Sequence, residues 1–165
     1  MPLDFVQETD DLKSFAVRFV LSPRQWETFQ CPTSLTWHRV KFDRPNATVV
    51  PTATGIYAFI VEYPGFQLPP HGYIMYIGIT KRDGGGNLRK RYRQYLDEKR
   101  VLKRAKVHYM LNKWSQHLYF HYAEVTDPQC DIRDLEQRLC DAMVPPYNKN
   151  DFSAMIRKQV QAFRD

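Results

Sequence analysis

The stretch GIYAFIVEYPGFQLPPHGYIMYIGIT, residues 55–80, predicts an antiparallel pair of strands. Residues 55–63 and 73–79 are rich in the β-branched and aromatic side chains that favour strands. The segment between them contains Pro and Gly and is long for a hairpin loop, so we expect it to be exposed. The pair carries two nearly mirrored triplets, GIY at 55–57 and YIG at 76–78. Packing alone does not require a tyrosine beside a glycine twice.

Hydrophobic periodicity and turn signals place further elements around this pair. Helices are expected at 8–20, 23–31, 101–116, 131–143 and 154–163 and from Leu88 onward, and strands at 34–42 and 117–125. Residues 43–54 are expected to be irregular. This order predicts an α/β protein of the α+β type, with a small, mainly antiparallel three-stranded sheet flanked by helices. We expect an N-terminal extension at 1–53 that packs on a core domain at 54–150, and a C-terminal helix within 151–165.

Local start signals support two of these helices. Ser22 is expected to cap the helix that begins with Pro23, and Asn87 the helix that begins at Leu88.

The length and composition exclude several classes of protein. A chain of 165 residues with 43% hydrophobic content suits one compact domain. No segment approaches the roughly 18 apolar residues that a membrane helix needs, and the N-terminus is acidic. We therefore expect a cytoplasmic protein without a membrane partner. Cys31, Cys130 and Cys140 are odd in number and widely spaced, which supports neither a disulfide framework nor a metal knuckle.

The positive charge is concentrated in one segment. The net charge is +6, but residues 81–106 contain eleven Lys or Arg and three acids, a local charge of +8. A focused cationic patch is typical of a protein that binds a polyanion, usually nucleic acid. A solvated basic helix is an equally good explanation of the charge alone.

Two charged residues lie next to apolar stripes on the predicted helices. Arg91 borders the stripe that contains Tyr92 and Tyr95, where a long side chain often reaches water by snorkelling. Glu136 lies between Ile132 and Leu139 on the helix at 131–143. A partly buried carboxylate needs a cation, a metal ion or hydrogen-bond donors. A salt bridge to Arg91 and a metal site are therefore both open for Glu136.

Tyr57 and Tyr76 lie on adjacent predicted strands, where their phenols can meet on one face. Strand tyrosines are ordinarily core residues. Together with Arg91 and Glu136, however, they would provide hydroxyls, a cation and a metal ligand. These are the groups that phosphodiester cleavage requires.

On these residues the chain resembles the GIY-YIG nuclease superfamily. The triplets stand at 55–57 and 76–78, and the helix motif is NLRKRYRQYL at 87–96 with Arg91 as its arginine. The glutamate of the family matches Glu136 in DLEQRL, and its asparagine matches Asn148 in PPYN. The resemblance covers about residues 54–150. Each motif is weak alone, but together, in family order, they are specific.

The resemblance implies a GIY-YIG fold and metal-dependent hydrolysis of DNA, leaving 5′-phosphate and 3′-hydroxyl ends, with RNA open as an alternative substrate. Tyr57 would be the general base or would orient the water, and Tyr76 would hold the water or the phosphate. Arg91 would stabilise transition-state charge, Glu136 would bind Mg²⁺ or Mn²⁺, and Asn148 would brace the site. Gly55 and Gly78 would allow close backbone approach.

The basic segment is expected to supply the contacts with nucleic acid. The candidates are Lys81, Arg82, Arg89, Lys90, Arg93, Tyr95, Lys103 and Arg104. Many members of the superfamily carry lysine directly after the second triplet, where this chain has Ile79, and DGGG lengthens the segment before Leu88.

Two functional interpretations follow. The first is an active endonuclease, either a small stand-alone enzyme or a restriction-type dimer. The second is a nucleic-acid-binding module on a nuclease scaffold that does not cleave. Specificity would come from the N-terminal 53 residues, the glycine-rich segment, a homodimer or a partner protein.

Overall fold

A computed structural model of the protein describes residues 4–80 and 85–164. One antiparallel sheet contains the strands β1 His38–Lys41, β2 Gly55–Val61, β3 Tyr73–Ile79 and β4 Leu118–Glu124, in the order β1-β4-β2-β3. The α-helices are α1 Phe5–Lys13, α2 Pro23–Thr28, α3 Leu88–Arg100, α4 Ala105–Lys113, α5 Ile132–Met143 and α6 Ala154–Arg164, and a 3₁₀ helix covers Pro45–Thr48. The α+β class is as expected. Within the described ranges, no helix is long and apolar enough to cross a membrane.

The prediction of a three-stranded sheet is wrong, because β1 adds a fourth strand. It pairs with β4 from His38↔Tyr122 to Lys41↔Tyr119. Without β1, the outer edge of β4 would leave a row of backbone groups unpaired. Phe42, which follows β1, is 1% exposed and packs edge-on against Phe59 of β2. Part of the N-terminal region therefore belongs to the sheet and its core.

The boundaries of several helices differ from the expected ones. Helix α1 ends at Lys13 rather than at residue 20, and none of its residues is buried. Helix α2 ends at Thr28, and the Ser22 side chain makes no capping hydrogen bond. By contrast, the Asn87 side chain accepts a hydrogen bond from the Lys90 backbone at 2.9 Å, as predicted for the start of α3.

The sheet separates two hydrophobic layers. Tyr57 and Phe59 of β2 face α3 and α4, whereas the alternate residues Ile56 and Ala58 face α5. Strand β3 is one of the two edges of the sheet, and β1 is the other. A register shift pairs Phe59 with Tyr76 and Ile60 with Ile74. Met75 is therefore an extra residue on β3, a β-bulge next to Tyr76.

Candidate active site

A cleft of about 660 Å³ lies at the β3 edge of the sheet. Its walls come from β3, from α3 on one face of the sheet and from α5 on the other. The lining residues that carry chemical groups are Tyr57, Tyr76, Lys90, Arg91, Gln94, Arg133, Glu136, Gln137, Asn150 and Asp151. Four of the five predicted catalytic residues therefore border one cleft, although they come from four different elements.

The two glycines of the triplets have different surroundings. Gly78 lies opposite Tyr57 in the β2–β3 register, and a Cβ atom at position 78 would stand 2.5 Å from the Tyr57 hydroxyl. Gly78 therefore makes room for the side chain of Tyr57. The expectation was that it would allow close approach of a neighbouring backbone segment. A Cβ atom at Gly55 would stand 2.3 Å from the carbonyl oxygen of Ala123. Gly55 therefore allows close backbone approach between β2 and β4.

The Tyr57 hydroxyl is the centre of a buried hydrogen-bond network. Arg91 donates to it from Nη2 at 3.1 Å and from Nε at 3.3 Å. A third bond, of 2.9 Å, joins it to the hydroxyl of Tyr95. A phenolic oxygen accepts two hydrogen bonds and donates one, so the proton of Tyr57 is directed at Tyr95. Arg91 and Tyr95 can both reach Tyr57 because they are four residues apart on α3.

Arg91 has a second anchor on its own helix. Its Nη1 donates to the Gln94 side chain at 2.9 Å. No ion pair joins Arg91 to Glu136, both of which lie in the described part of the chain, so the salt bridge that was one of two alternatives for Glu136 is not formed. The guanidinium is thus fixed by neutral partners and keeps its full charge at the cleft.

Burial controls the ionisation of the two tyrosines of the triplets. Tyr57 is completely buried, and desolvation raises its pKa well above 10, with a further contribution from Tyr95 and Tyr76 that Arg91 only partly opposes. The pKa of Tyr76 is also raised, chiefly by desolvation and to a smaller extent by the neighbouring Tyr95. Both phenols are therefore protonated at neutral pH, which favours their roles as hydrogen-bonding groups.

The Glu136 carboxylate lies half-buried on α5, and the charges of nearby arginines compensate its burial only in part. Desolvation, and then the negative charge of Asp151, raise its pKa from 4.5 to about 7, while Arg91 and Arg133 act in the opposite direction. Within residues 4–80 and 85–164, it forms neither a hydrogen bond nor an ion pair. A cation that entered the cleft would stabilise the ionised form of Glu136.

Asp151 is a second carboxylate of the cleft that sequence reasoning missed. It lines the same wall as Glu136, and its Oδ2 accepts a hydrogen bond from Asn148 Nδ2 at 2.7 Å. The only signal in the sequence is its position three residues after Asn148. Nothing in that spacing distinguishes it from an ordinary loop aspartate.

Asn148 lies behind the cleft and supports its edge strand. It is 1% exposed, and its amide pairs with the backbone of Ile77 in both directions, each bond being 2.8 Å long. Tyr147 adds a backbone hydrogen bond to Met75 at 3.0 Å. Residues 147–148 therefore satisfy backbone groups that the free edge of β3 would otherwise expose.

The predicted nucleic-acid contacts fall into distinct groups. Lys90, Arg93 and Lys103 are exposed, and Lys90 lines the cleft. Lys81 and Arg82 lie outside the described residues. Tyr95 is 0% exposed, so contact with nucleic acid would require it to leave the core.

Two predicted nucleic-acid contacts already have protein partners. The Arg89 guanidinium donates to the carbonyl oxygens of Val50 and Thr48. Arg104 forms a two-pronged pair with Glu98, at 3.0 and 2.9 Å. The positive charge in the sequence therefore overstates the number of free cations.

The donor chemistry of the cleft suits a hard divalent cation. Glu136 offers carboxylate oxygens, the ligand type that Mg²⁺ and Mn²⁺ prefer. No group of three or more His, Cys, Asp or Glu that could hold a metal occurs among the residues described. An ion at Glu136 would therefore take most of its other ligands from water and substrate, as Mg²⁺ commonly does.

The fold and cleft define an α+β protein. At the edge of its sheet lie phenols, a fixed guanidinium and a carboxylate that has no hydrogen-bond or ion-pair partner among the described residues. No protein-family model, curated protein or solved structure matches the chain. The sequence motifs and the geometry of the cleft are therefore the basis for a functional assignment.

Proposed function

We propose that this chain is a divalent-metal-dependent endonuclease of the GIY-YIG type that hydrolyses DNA phosphodiester bonds to 5′-phosphate and 3′-hydroxyl ends. The observation that supports this most strongly is the presence of Tyr57, Tyr76, Arg91 and Glu136 in one cleft. These residues match the family motifs in order. They also include the groups that stabilise charge and position water in phosphoryl chemistry.

Arg91 is the group that stabilises negative charge on the reacting phosphate. Its guanidinium is permanently charged, and Tyr57 and Gln94 hold it at the cleft before substrate arrives. A pre-positioned cation needs no reorganisation as charge develops in the transition state.

Tyr57 is poorly suited to remove the proton of the attacking water, and it would orient that water directly only where the water replaces Tyr95 as the acceptor of its proton. Its raised pKa makes the phenolate rare at neutral pH, and the hydroxyl already bonds Arg91 and Tyr95. Tyr76, on the same face, holds the water or the phosphate. Of the two roles that the motif suggests for Tyr57, its environment disfavours that of general base.

Glu136 would hold Mg²⁺ or Mn²⁺, with Asp151 contributing negative potential beside it. Such an ion would supply Lewis-acid polarisation of the phosphate and lower the pKa of bound water. Asn148 keeps Ile77, and with it the YIG triplet, at the edge of the cleft.

Nicking of a supercoiled plasmid tests the proposal. Wild type is compared with Glu136→Gln and with Glu27→Gln, an exposed control outside the cleft, in Mg²⁺, in Mn²⁺ and in EDTA. We expect nicking by wild type and Glu27→Gln with either metal, and none by Glu136→Gln. End-labelling of the products checks for the 5′-phosphate. Cleavage by Glu136→Gln at the wild-type rate would refute the proposal.

A second candidate is a nucleic-acid-binding module that does not cleave. Ile79 supports it, because it places an apolar side chain in the cleft where many relatives of this type carry lysine. This candidate predicts binding that weakens steeply with salt, without nicking under any metal.

The mode of cleavage depends on the number of active sites. We favour a small stand-alone enzyme that acts on one strand or on distorted DNA over a restriction-type homodimer. A dimer would join two clefts and convert plasmid directly to the linear form. Light scattering and the ratio of nicked to linear product distinguish the two.

A further inference from the structure

Arg133 is an exposed arginine on the α5 wall of the cleft, outside the basic segment of the sequence. Its backbone N–H donates to the Asp131 side chain at 2.9 Å, which fixes the first turn of the helix. It precedes Glu136 by three residues, so the two side chains project from the same face of α5.

The Arg133 guanidinium differs from three other arginines of the chain because it has no hydrogen-bond or ion-pair partner among the described residues. Arg91 bonds Tyr57, Arg104 bonds Glu98, and Arg138 on the same helix bonds Asp134 at 2.6 Å. Across the part of the chain that the structure describes, the Arg133 side chain makes neither a hydrogen bond nor an ion pair. Its five donors are therefore available to a ligand.

Lys90 occupies the corresponding position on the opposite wall. It is exposed on α3, lines the cleft, and its ammonium likewise lacks a partner among the described residues. Ile79, on the β3 edge that the cleft crosses, provides no charge. Glu136 and Asp151 repel phosphate, so a nucleic-acid strand needs cations on the rim to approach.

We propose that Arg133 binds a backbone phosphate of the substrate and, with Lys90 across the cleft, holds one nucleic-acid strand over the edge of β3. This inference rests on the proposed function, because it assumes that the strand to be cleaved binds in the same cleft. A planar guanidinium with free N–H groups suits two-pronged binding of a phosphate. The contact is to the backbone, so it is independent of base sequence.

The effect of Arg133 on Glu136 allows phosphate binding to be separated from metal binding. Arg133 precedes Glu136 by one turn of α5, so its positive charge lies near the carboxylate. At a pH well above 7, where Glu136 is ionised with or without this neighbouring charge, removal of a positive charge leaves metal affinity unchanged or increased. A loss of DNA binding in an Arg133 variant would therefore not arise from a loss of metal.

Fluorescence anisotropy with a labelled oligonucleotide, single-stranded and as a duplex, tests the proposal. Binding is measured in EDTA across a range of salt concentrations for wild type, Arg133→Gln and Arg138→Gln. The control has the same charge change on the same helix but does not line the cleft. We expect Arg133→Gln to weaken binding several-fold and to reduce the slope of log K against log salt by about 0.7–0.9. Arg138→Gln should match wild type.

Titration with Mn²⁺ at a pH well above 7, followed by electron paramagnetic resonance, supplies the second readout, in which Arg133→Gln should bind at least as tightly as wild type. Equal DNA affinities and equal salt slopes for the two arginine variants would overturn the role of Arg133, even if plasmid nicking supports the nuclease. Salt-dependent binding that is weakened in Arg133→Gln, without nicking by wild type, would support Arg133 while refuting the nuclease.

Discussion

The phenol of Tyr57 occupies the space that a side chain at position 78 would need. The two residues face each other across β2 and β3, and a Cβ atom on Gly78 would stand 2.6 Å from Cζ of Tyr57 and 2.5 Å from its hydroxyl oxygen. The last residue of the first triplet and the last residue of the second therefore form one packing unit. The hydroxyl that this unit places also bonds Arg91.

Gly78→Ala should disturb this unit directly. The added methyl group must displace the Tyr57 ring, so we expect a loss of about 1–3 kcal/mol in the free energy of unfolding. The Tyr57 hydroxyl would also leave Arg91, which should slow cleavage at least tenfold. Urea denaturation and initial nicking rates measure the two effects.

Gly72→Ala is the matched control for Gly78→Ala. A Cβ atom there would meet the Cγ2 atom of Ile60 at 3.1 Å and the Cβ atom of Glu62 at 3.9 Å. Equal losses of stability and activity in both variants would show that Gly78 has no special role.

Glu136→Gln should stabilise the protein in a pH-dependent way. The pKa of Glu136 is about 7 in the folded state against an ordinary 4.5, so the folded state binds the proton more tightly. The free energy of unfolding of wild type should therefore fall as pH rises from about 4.5 to about 7. Glutamine lacks this titration, so its advantage should grow to at most about 3 kcal/mol at pH 8 and vanish near pH 4.

Urea denaturation in EDTA at the two pH values measures this difference. Addition of Mg²⁺ at pH 8 should then stabilise wild type but not Glu136→Gln, because only the carboxylate binds the ion. A difference between the two proteins that does not change with pH would contradict the assigned environment of Glu136.

Local sequence signals predicted the hairpin and the start of α3. The strands predicted at 55–63 and 73–79 from their β-branched and aromatic residues are confirmed by β2 and β3, and Asn87 caps α3 as expected. These features depend on residues within a few positions of one another. The placement of Arg91 and Tyr95 on one face of α3 is another such local feature, because helix geometry puts residues four positions apart on the same face.

Contacts between distant segments could not be predicted in the same way. The sequence favours a strand near β1 but does not show that it pairs with β4. Positive charge in the sequence does not reveal that Arg89 and Arg104 bond protein groups. Asp151 and Arg133 enter the cleft only because α5 and the segment after it pack against β3.

Replacement of the two bonded tyrosines should separate chemistry from packing. Tyr57→Phe removes the acceptor of two Arg91 hydrogen bonds, and we expect cleavage to fall about 10²–10³-fold. Tyr95→Phe leaves those bonds in place, so a much smaller loss is expected. It removes the partner of the Tyr57 proton and a hydroxyl that also interacts with Tyr76 and Arg104. Both rings remain, so each variant should fold.

Single-turnover cleavage at saturating metal and thermal unfolding provide the comparison between these tyrosine variants. A rate for Tyr95→Phe below that for Tyr57→Phe would reverse the assignment and make Tyr95 the more important hydroxyl.

Asn148→Ala should loosen the edge strand without removing any group that lines the cleft. The substitution leaves the N–H and C=O of Ile77 without their partners and frees Asp151. We expect a loss of about 2–4 kcal/mol in the free energy of unfolding, since buried unpaired groups are costly. Exposed Asn150 provides the control. Native-state hydrogen exchange should show faster exchange at the Ile77 amide in Asn148→Ala than in Asn150→Ala. If that amide remained protected while cleavage failed, Asn148 would act on the substrate and not through β3.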